Sequence, residues 1–459
     1  MSKLIDKNIL IVGAGISGIS AAKLCCSEGA KVYIYDQNNV EKLIKESSDL
    51  KKCIYVSDLN LKMLLKKINL AVLSPSILLN TKVGKLIAEQ GIEAISEIEL
   101  GYRYCRGKII AITGTNGKTS TAKLCNEMFE LQNVSHGMYG NMGIGFAERI
   151  KNTDEKQITI LELSAQQLQF SNNFHPYISV ITNIKPEHQV NYPEFEIYFK
   201  DKIKILKNQT KKDICILNYT DEECKKAINF CRAKVLWFCS KGKILDEGAY
   251  YYNKKIYLRI ENKEIFVFDN KKGIVRQDYI EHALILVLIA YIFKLNIEYV
   301  IKKIFEKASF ENRLEVVMKY KNRTFINDSK ATNPYSTIFA IETNENVILI
   351  CGSNNKKKND FTELAEKIVQ KVKFVVLYGE TASIISEKLI KMEYFKYVIA
   401  ENLQESVRYA YNHADQGDNI IFSPGGNCSP TFDNYYERGK IFKNIVKNEM
   451  FHSSLDNMQ

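Results

Sequence analysis

Proline is scarce in this chain of 459 residues, with 7 in all, so proline-rich linkers do not mark its domain boundaries and motifs must do so. The longest apolar run, Ala283–Phe293, is about half of the roughly 20 residues that a membrane span needs, and it predicts a buried helix. The opening stretch, MSKLIDKNILIVGAG, runs into a glycine motif with no long apolar region and no cleavage site, so no secretory signal is expected. The 11 cysteines contain no C-x-x-C pair, which removes the spacing of zinc ribbons and dithiol motifs. Cys25 and Cys26 are adjacent in an expected helix and cannot easily bridge each other. Reduced thiols in a cytoplasmic protein follow. The net charge of +11, from 64 basic and 53 acidic side chains, comes with no basic block. Anionic ligands are favoured, but no nucleic-acid groove is expected.

Hydrophobic residues make up 46% and charged residues 25%, a globular rather than disordered composition. At roughly 150 residues per domain the length suggests about three domains. Short β-like runs alternate with helical patterns: 8–12, 31–35, 71–73, 109–113, 158–161, 179–182, 347–351, 374–378 and 419–423. This alternation predicts an α/β chain of parallel sheets with crossover helices. It restarts near Gly13, near Gly114 and after about residue 311. The stretch Ala249–Phe268 reads as a small antiparallel insertion.

Two loops have phosphate-binding form. Gly13-Ala-Gly15-Ile-Ser-Gly18 follows the apolar run NILIV, opens a helical pattern, and is followed by KVYIYD ending at Asp36. This is the G-x-G-x-x-G layout with an acid about 20 residues on, in which a pyrophosphate sits on a helix N-terminus. It suits a dinucleotide or a sugar-nucleotide diphosphate, and a tight turn without a ligand is the plain alternative. Thr113-Gly-Thr-Asn-Gly117-Lys118-Thr119-Ser120 follows KIIAIT and precedes a helix. Its amides can cradle phosphates, Lys118 can reach the β/γ-phosphates of ATP, and the Thr119 hydroxyl can ligate Mg²⁺. Position 112 is Ile, so the full Walker A pattern is not present. A simple dehydrogenase needs no such second loop, and a simple ATPase needs no first. An enzyme that activates a nucleotide-linked substrate with ATP uses both.

Glu162 ends the run ITILE, and Glu187 and His188 follow the next run. Oxygen ligands suit Mg²⁺, whereas each of these residues taken alone is an ordinary surface residue. From about Pro193 a helix is expected, with Phe195, Tyr198, Phe199, Ile203 and Leu206 on one stripe and Lys200, Lys204 and Lys207 facing away. Lys202 falls inside the apolar stripe. It either snorkels to water or points inward to serve a site.

TGTNGKTS, ELSAQQL and NIKPEHQ resemble the phosphate loop and metal-binding segments of the Mur ligases, ATP-dependent enzymes that add amino acids to UDP-N-acetylmuramic acid in peptidoglycan assembly. NDSKATN, residues 327–333, is similar to the signature of the family's D-glutamate-adding members, and the resemblance runs from Gly13 to Gly439. It implies a Rossmann-like domain over 1–97 for the UDP substrate, a central P-loop domain over 98–310, and a Rossmann-like amino-acid-binding domain over 311–459. It implies that Gly15, Ile16, Ser17, Asp36, Gln37 and Ser76, with Asn141, Ser164 and Gln167, hold the UDP substrate rather than NAD. Gly114, Thr115, Asn116, Gly117, Lys118, Thr119 and Ser120 would bind ATP together with His282, Arg313 and Asp328, and Lys330 would meet its phosphates. Thr119, Glu162 and His188 would ligate Mg²⁺, and Lys202 stands where the family carries a carbamylated lysine, an anionic oxygen ligand. Thr332, Lys357, Cys428 and Tyr435 would receive D-glutamate.

Four positions depart from the family pattern. The HN-x-x-N nucleotide helix appears as Asp278-Tyr-Ile-Glu-His282, Cys428 replaces a serine, Val190 replaces an aspartate, and Lys356-Lys357-Lys358 offers three candidates for one lysine. The resemblance implies a monomer that condenses UDP-N-acetylmuramoyl-L-alanine with D-glutamate through an acyl phosphate, with Lys118 and Lys330 spreading charge and His188 and Lys202 positioning the metal. Alternatives are a related Mur or folylpolyglutamate-type ligase with another amino acid or acceptor, an NAD-dependent oxidoreductase, and a nucleotide-binding protein with degenerate catalysis.

Overall fold

The computed structural model describes residues 4–38, 50–75, 77, 81–141, 145–150, 153–186, 192, 194–271, 275, 279–307, 311–354, 359–428 and 432–455. The first sheet holds β1 (Asn8–Val12), β2 (Lys31–Tyr35), β3 (Ile54–Val56), β4 (Leu70–Leu73) and β5 (Ala94–Ser96), all parallel, in the order β3-β2-β1-β4-β5. β1 is apolar at Ile9, Leu10, Ile11 and Val12 because both of its faces are buried. Strand order reverses between β1 and β4, the place where open α/β sheets form a ligand crevice at their carboxyl ends.

The second sheet holds β6 (Ile109–Thr113), β7 (His136–Gly140), β8 (Ile158–Glu162), β9 (Ile178–Ile181), β10 (Ile214–Asn218), β11 (Lys234–Cys239), β12 (Gly248–Tyr252), β13 (Lys255–Ile260) and β14 (Lys263–Asp269). Its order is β14-β13-β12-β11-β10-β9-β6-β8-β7. The expected insertion at Ala249–Phe268 is corrected here: these strands extend the main sheet. β12 pairs parallel with β11; the expected antiparallel pairing is present between β12 and β13 and between β13 and β14, so only β13 runs against the rest. Glycine permits the join, since a Cβ at Gly248 would lie 1.9 Å from the Trp237 carbonyl oxygen.

The third sheet holds β15 (Glu315–Tyr320), β16 (Arg323–Asn327), β17 (Val347–Cys351), β18 (Val372–Tyr378), β19 (Tyr397–Ala400) and β20 (Asn419–Phe422), ordered β15-β16-β20-β17-β18-β19. The run VILIC in β17 follows from burial on both faces: Val347, Leu349 and Cys351 enter one core, Ile348 and Ile350 the other. The alternating βα pattern is thus α/β, as expected, with a sheet for each of the three expected blocks. The first two sheets share one compact unit and the third lies in another. No described helix is long and apolar enough to cross a membrane.

The first two sheets share a unit because three helices meet. Helix Ile16–Ser27 leads out of β1, Glu97–Tyr102 follows β5, and Phe146–Arg149 belongs to the second block. Buried Glu97 joins them: its Oε1 accepts from Ser20 Oγ at 3.0 Å and from the Ala147 amide at 2.6 Å. Ser20 Oγ in turn accepts from the Glu148 amide at 2.8 Å. Phe170, from the second block, packs into the core of the first sheet with Leu73, Val83 and Ile87.

Burial pushes the Glu97 carboxyl up to about 7. The stability of the neutral carboxyl is complete below the ordinary glutamate value of about 4.3 and is lost as the pH rises through about 7. Glu97→Gln keeps an acceptor oxygen and removes the ionisation. Its thermal midpoint should match wild type near about pH 5 and exceed it near about pH 8, by roughly 2–4 °C for each kcal/mol relieved. Melting curves at both values check this, and an equal offset at the two would refute it.

Candidate functional site

The glycine loop after β1 is shaped by close approach. A Cβ at Gly18 would lie 1.8 Å from the Gly13 carbonyl oxygen, and one at Gly13, where φ is +95°, would lie 2.5 Å from Ser74 Oγ. Asp36, just beyond β2, accepts from the Ala14 amide at 2.7 Å through Oδ2. One carboxylate oxygen therefore fixes the loop, and Oδ1 accepts from the Asn38 amide at 2.9 Å. Gly15 and Ile16 stand exposed at the start of helix Ile16–Ser27, with Ser17 half-buried and Gln37 exposed beside Asp36. Gly15, Ile16, Ser17, Asp36 and Gln37 are thus gathered at the carboxyl ends of the first sheet, Asn141, Ser164 and Gln167 follow strands of the second, and Ser76 lies outside the described residues.

The second loop lies between β6 and helix Lys118–Leu131. Gly114 (φ +147°) and Gly117 (φ +86°) take backbone conformations that other residues rarely adopt. Lys118 Nζ donates to the carbonyls of Gly114 and Thr115, each at 2.8 Å. The loop is further fixed by Asn183, beyond β9, whose Oδ1 accepts from the Asn116 amide at 2.9 Å and whose carbonyl accepts from the Thr115 amide at 2.9 Å. Ser120 is buried in the first turn of the helix. His282 reaches the same loop: its Nδ1 lies 2.9 Å from Thr121 Oγ1, and its Cε1 would lie 3.2 Å from a Cβ at Gly117.

Glu162, at the end of β8 and 2% exposed, meets one other expected metal residue, Thr119. Thr119 Oγ1 donates to Glu162 Oε1 at 2.9 Å, and Asn141 Nδ2 donates to the same oxygen at 3.3 Å. The Asn141 amide also donates to the Glu162 carbonyl at 2.8 Å. A buried carboxylate oxygen beside a hydroxyl oxygen is a pair of hard donors of the kind Mg²⁺ takes, so Glu162 and Thr119 fit that ion. His188 lies outside the described residues, among which no group of three or more His, Cys, Asp or Glu side chains is placed to hold a metal. Ser164 and Gln167 follow β8 and satisfy each other in a capping box, with Gln167 Oε1 accepting from the Ser164 amide at 2.9 Å.

Lys202 is 1% exposed, which removes the snorkelling alternative. Its Nζ donates to the Gly114 carbonyl at 2.7 Å and lies 4.6 Å from the centre of the Tyr198 ring. Tyr198 also places its hydroxyl 3.2 Å from Thr115 Oγ1. The apolar stripe of helix Phe195–Ile203 therefore delivers one lysine to the phosphate loop.

In the other unit, Asp328 follows β16. Its Oδ2 accepts from Ser423 Oγ at 2.8 Å and its Oδ1 from the Leu314 amide at 3.3 Å, beside half-buried Arg313. Lys330 Nζ lies 5.1 Å from the centre of the Tyr435 ring, so an expected phosphate residue and an expected D-glutamate residue adjoin. Thr332 is half-buried; burial pushes the half-buried Cys428 thiol up. Lys357 lies outside the described residues. Sequence reasoning missed Arg438, which is fully buried. Its Nε donates to Ser329 Oγ at 3.1 Å, its Nη2 to the Ser329 carbonyl at 2.7 Å, and its Nη1 to the Asn427 carbonyl at 3.1 Å. Asn183 and Tyr198 were missed as well. Their signal was slight: Asn183 stands in NIKPEHQ, Tyr198 on the stripe of Lys202, and Arg438 in YYERG.

Comparison with known proteins bears on the family of the chain. Residues 7–96 match the Mur ligase MurD-like N-terminal domain, 112–280 the Mur ligase middle domain, and 312–426 the Mur ligase glutamate ligase domain. The UDP-N-acetylmuramoylalanine--D-glutamate ligase of Lachnoclostridium phytofermentans is 34% identical over 447 residues, covering 96% of this chain and 98% of its own. The enzyme of the same name from Alkaliphilus oremlandii is 33% identical, covering 96% of this chain and 98% of its own. Among solved structures, the MurF ligase of Thermotoga maritima in complex with ADP matches at a TM-score of 0.57 with 13% identity, covering 97% of this chain and 96% of that one. UDP-N-acetylmuramate-alanine ligase from the same organism matches at a TM-score of 0.55 with 16% identity, covering 96% of this chain and 99% of that one. Sheets, loops and full-length relatives converge: this chain belongs to the Mur ligase family.

Proposed function

We propose that this chain is the ATP-dependent ligase that joins D-glutamate to UDP-N-acetylmuramoyl-L-alanine in peptidoglycan precursor synthesis, releasing ADP and phosphate. The observation that carries the reading is the match, over 96% of the chain, to ligases named for that reaction. It is supported by two phosphate-type loops, each at the carboxyl end of its own sheet. The related ligase with another amino acid or acceptor is not favoured, since these relatives share the D-glutamate name. We place the domain divisions at residues 97 and 310, and the work in a cytoplasmic monomer.

Amide formation in water needs an activated carboxylate. The L-alanyl carboxylate of the substrate attacks the γ-phosphorus of ATP, ADP leaves, and an acyl phosphate results. The amine of D-glutamate then attacks the acyl carbon and phosphate departs. Lys118 holds an ammonium at the loop and the start of its helix, where anionic charge is favoured. We assign Gly114, Thr115, Asn116, Gly117, Ser120 and His282 to the nucleotide as well, with Arg313, Asp328 and Lys330 of the other unit. Thr119 and Glu162 would hold Mg²⁺ with His188 and a carbamylated Lys202. Bound there, Mg²⁺ would neutralise phosphate charge. Gly15, Ile16, Ser17, Asp36, Gln37, Ser76, Asn141, Ser164 and Gln167 would hold the UDP substrate. Thr332, Lys357, Cys428 and Tyr435 would receive D-glutamate.

Purified protein should release phosphate only when UDP-N-acetylmuramoyl-L-alanine, D-glutamate and Mg·ATP are all present. Release that ignores D-glutamate would overturn the assignment. Lys202→Ala should lower turnover by about 100-fold or more, with partial recovery in formate or acetate. Full activity in that variant would show that the buried amine serves packing alone.

A further inference from the structure

The thiols at Cys26 and Cys53 form a pair that the ligase reaction does not use. Cys26 is half-buried at the end of helix Ile16–Ser27, and Cys53 is buried just before β3. Their sulfurs are 3.3 Å apart, although 27 positions separate them in the chain. From this contact we infer that Cys26 and Cys53 are an oxidant-responsive modification site, closed by a peroxide into a reversible intrachain disulfide.

Chemistry divides the two roles. The hydrogen bond from Cys53, aided by Lys52, pulls the Cys26 thiol below its ordinary range, while the same bond and burial push Cys53 up. Cys26 is half-buried where Cys53 is buried, so it is also the sulfur that a peroxide reaches, and it attacks first. The neighbouring Cys25 is excluded as the nucleophile, because burial pushes it up to about 12. The Cys26 thiolate attacks one oxygen of hydrogen peroxide, the O–O bond breaks, and hydroxide takes up a proton as water. Cys26 is left as a sulfenic acid. The Cys53 sulfur then attacks the Cys26 sulfur. An S–S bond forms, the S–O bond breaks, and the hydroxyl leaves with the Cys53 proton as a second water. The thiols lose two electrons and the peroxide gains two. An external dithiol reverses the bridge by exchange.

The placement gives the bridge a consequence. Helix Ile16–Ser27 begins at the glycine loop, and β2 with Asp36 lies between the two cysteines in sequence. The bridge closes the stretch that carries Asp36 into a covalent ring anchored on the loop's own helix.

Native full-length protein is treated with hydrogen peroxide, denatured, alkylated and digested with trypsin without reduction. A cross-link between Leu24–Lys31 and Cys53–Lys62 is expected, and dithiothreitol should remove it. Cys25→Ser should retain the cross-link, and Cys26→Ser should abolish it. Cys53→Ser should abolish it too and leave Cys26 as a sulfenic acid that dimedone traps. A cross-link that survives in Cys26→Ser, or wild-type protein that forms none while other thiols oxidise, would overturn the inference. Neither result depends on ligase activity.

Discussion

One carbonyl oxygen organises the second phosphate-type loop. Gly114 presents it at the end of β6, and both Lys118 and Lys202 donate to it. Two ammonium groups on one acceptor repel each other, and burial of Lys202 makes that repulsion harder to screen. The arrangement stands because other groups share the load: the Thr115 carbonyl takes Lys118, and the Tyr198 ring lies under Lys202. Two lysine amines at one loop make it a place where negative charge is favoured. A polyphosphate would supply that charge from outside, and a carbamate on Lys202 would supply it from within. The buried Glu162 carboxylate, bonded to Thr119 from the same helix start, carries the opposite preference and fits a cation. Anion and cation preferences side by side are what a metal–nucleotide complex requires.

This juxtaposition depends on sheet order. β6 lies between β8 and β9, so the loop after β6, Glu162 at the end of β8, and Asn183 beyond β9 all emerge at one edge. The chain reaches neighbouring strands only through crossovers, and every parallel strand ends on the same side. The first sheet repeats the logic with β1 between β2 and β4, which brings Asp36 and Ser74 to the glycine loop. Each loop is thus pinned by the strand beside it, not by its own glycines alone.

The same geometry explains what could be read from residues alone. Central strands such as β1, β6 and β17 are buried on both faces and stand out as continuous apolar runs. Edge strands did not: β7, with sequence HGMYG, is half-buried throughout and has no such run. β12 to β14 alternate like a separate hairpin sheet, and nothing in the residues marks that β12 joins β11. Lys202 was legible because a charge in an apolar stripe breaks a periodicity. Asn183 and Arg438 were not, because a polar side chain that bonds backbone groups far away in sequence leaves no local pattern. Their roles exist only once distant loops are brought together.

Arg438 shows how much can rest on such a residue. A fully buried cation is costly unless its donors are satisfied. Here its hydrogen-bond partners are oxygens of neutral groups: the hydroxyl and carbonyl of Ser329, and the carbonyls of Gly426 and Asn427. A lysine could offer three donors from a single point and could not span these oxygens, whereas the planar fork of a guanidinium serves both loops at once. The next residue must then be glycine, since a Cβ at position 439 would lie 1.7 Å from Asn312 Oδ1. Asn312 in turn accepts from Asn327 Nδ2 at 2.9 Å, at the end of β16. One guanidinium therefore ties the segment carrying Asp328 and Lys330 to the loop leading to Cys428. The placement of residues proposed for nucleotide and amino acid thus rests on a charge held by hydroxyl and backbone oxygens.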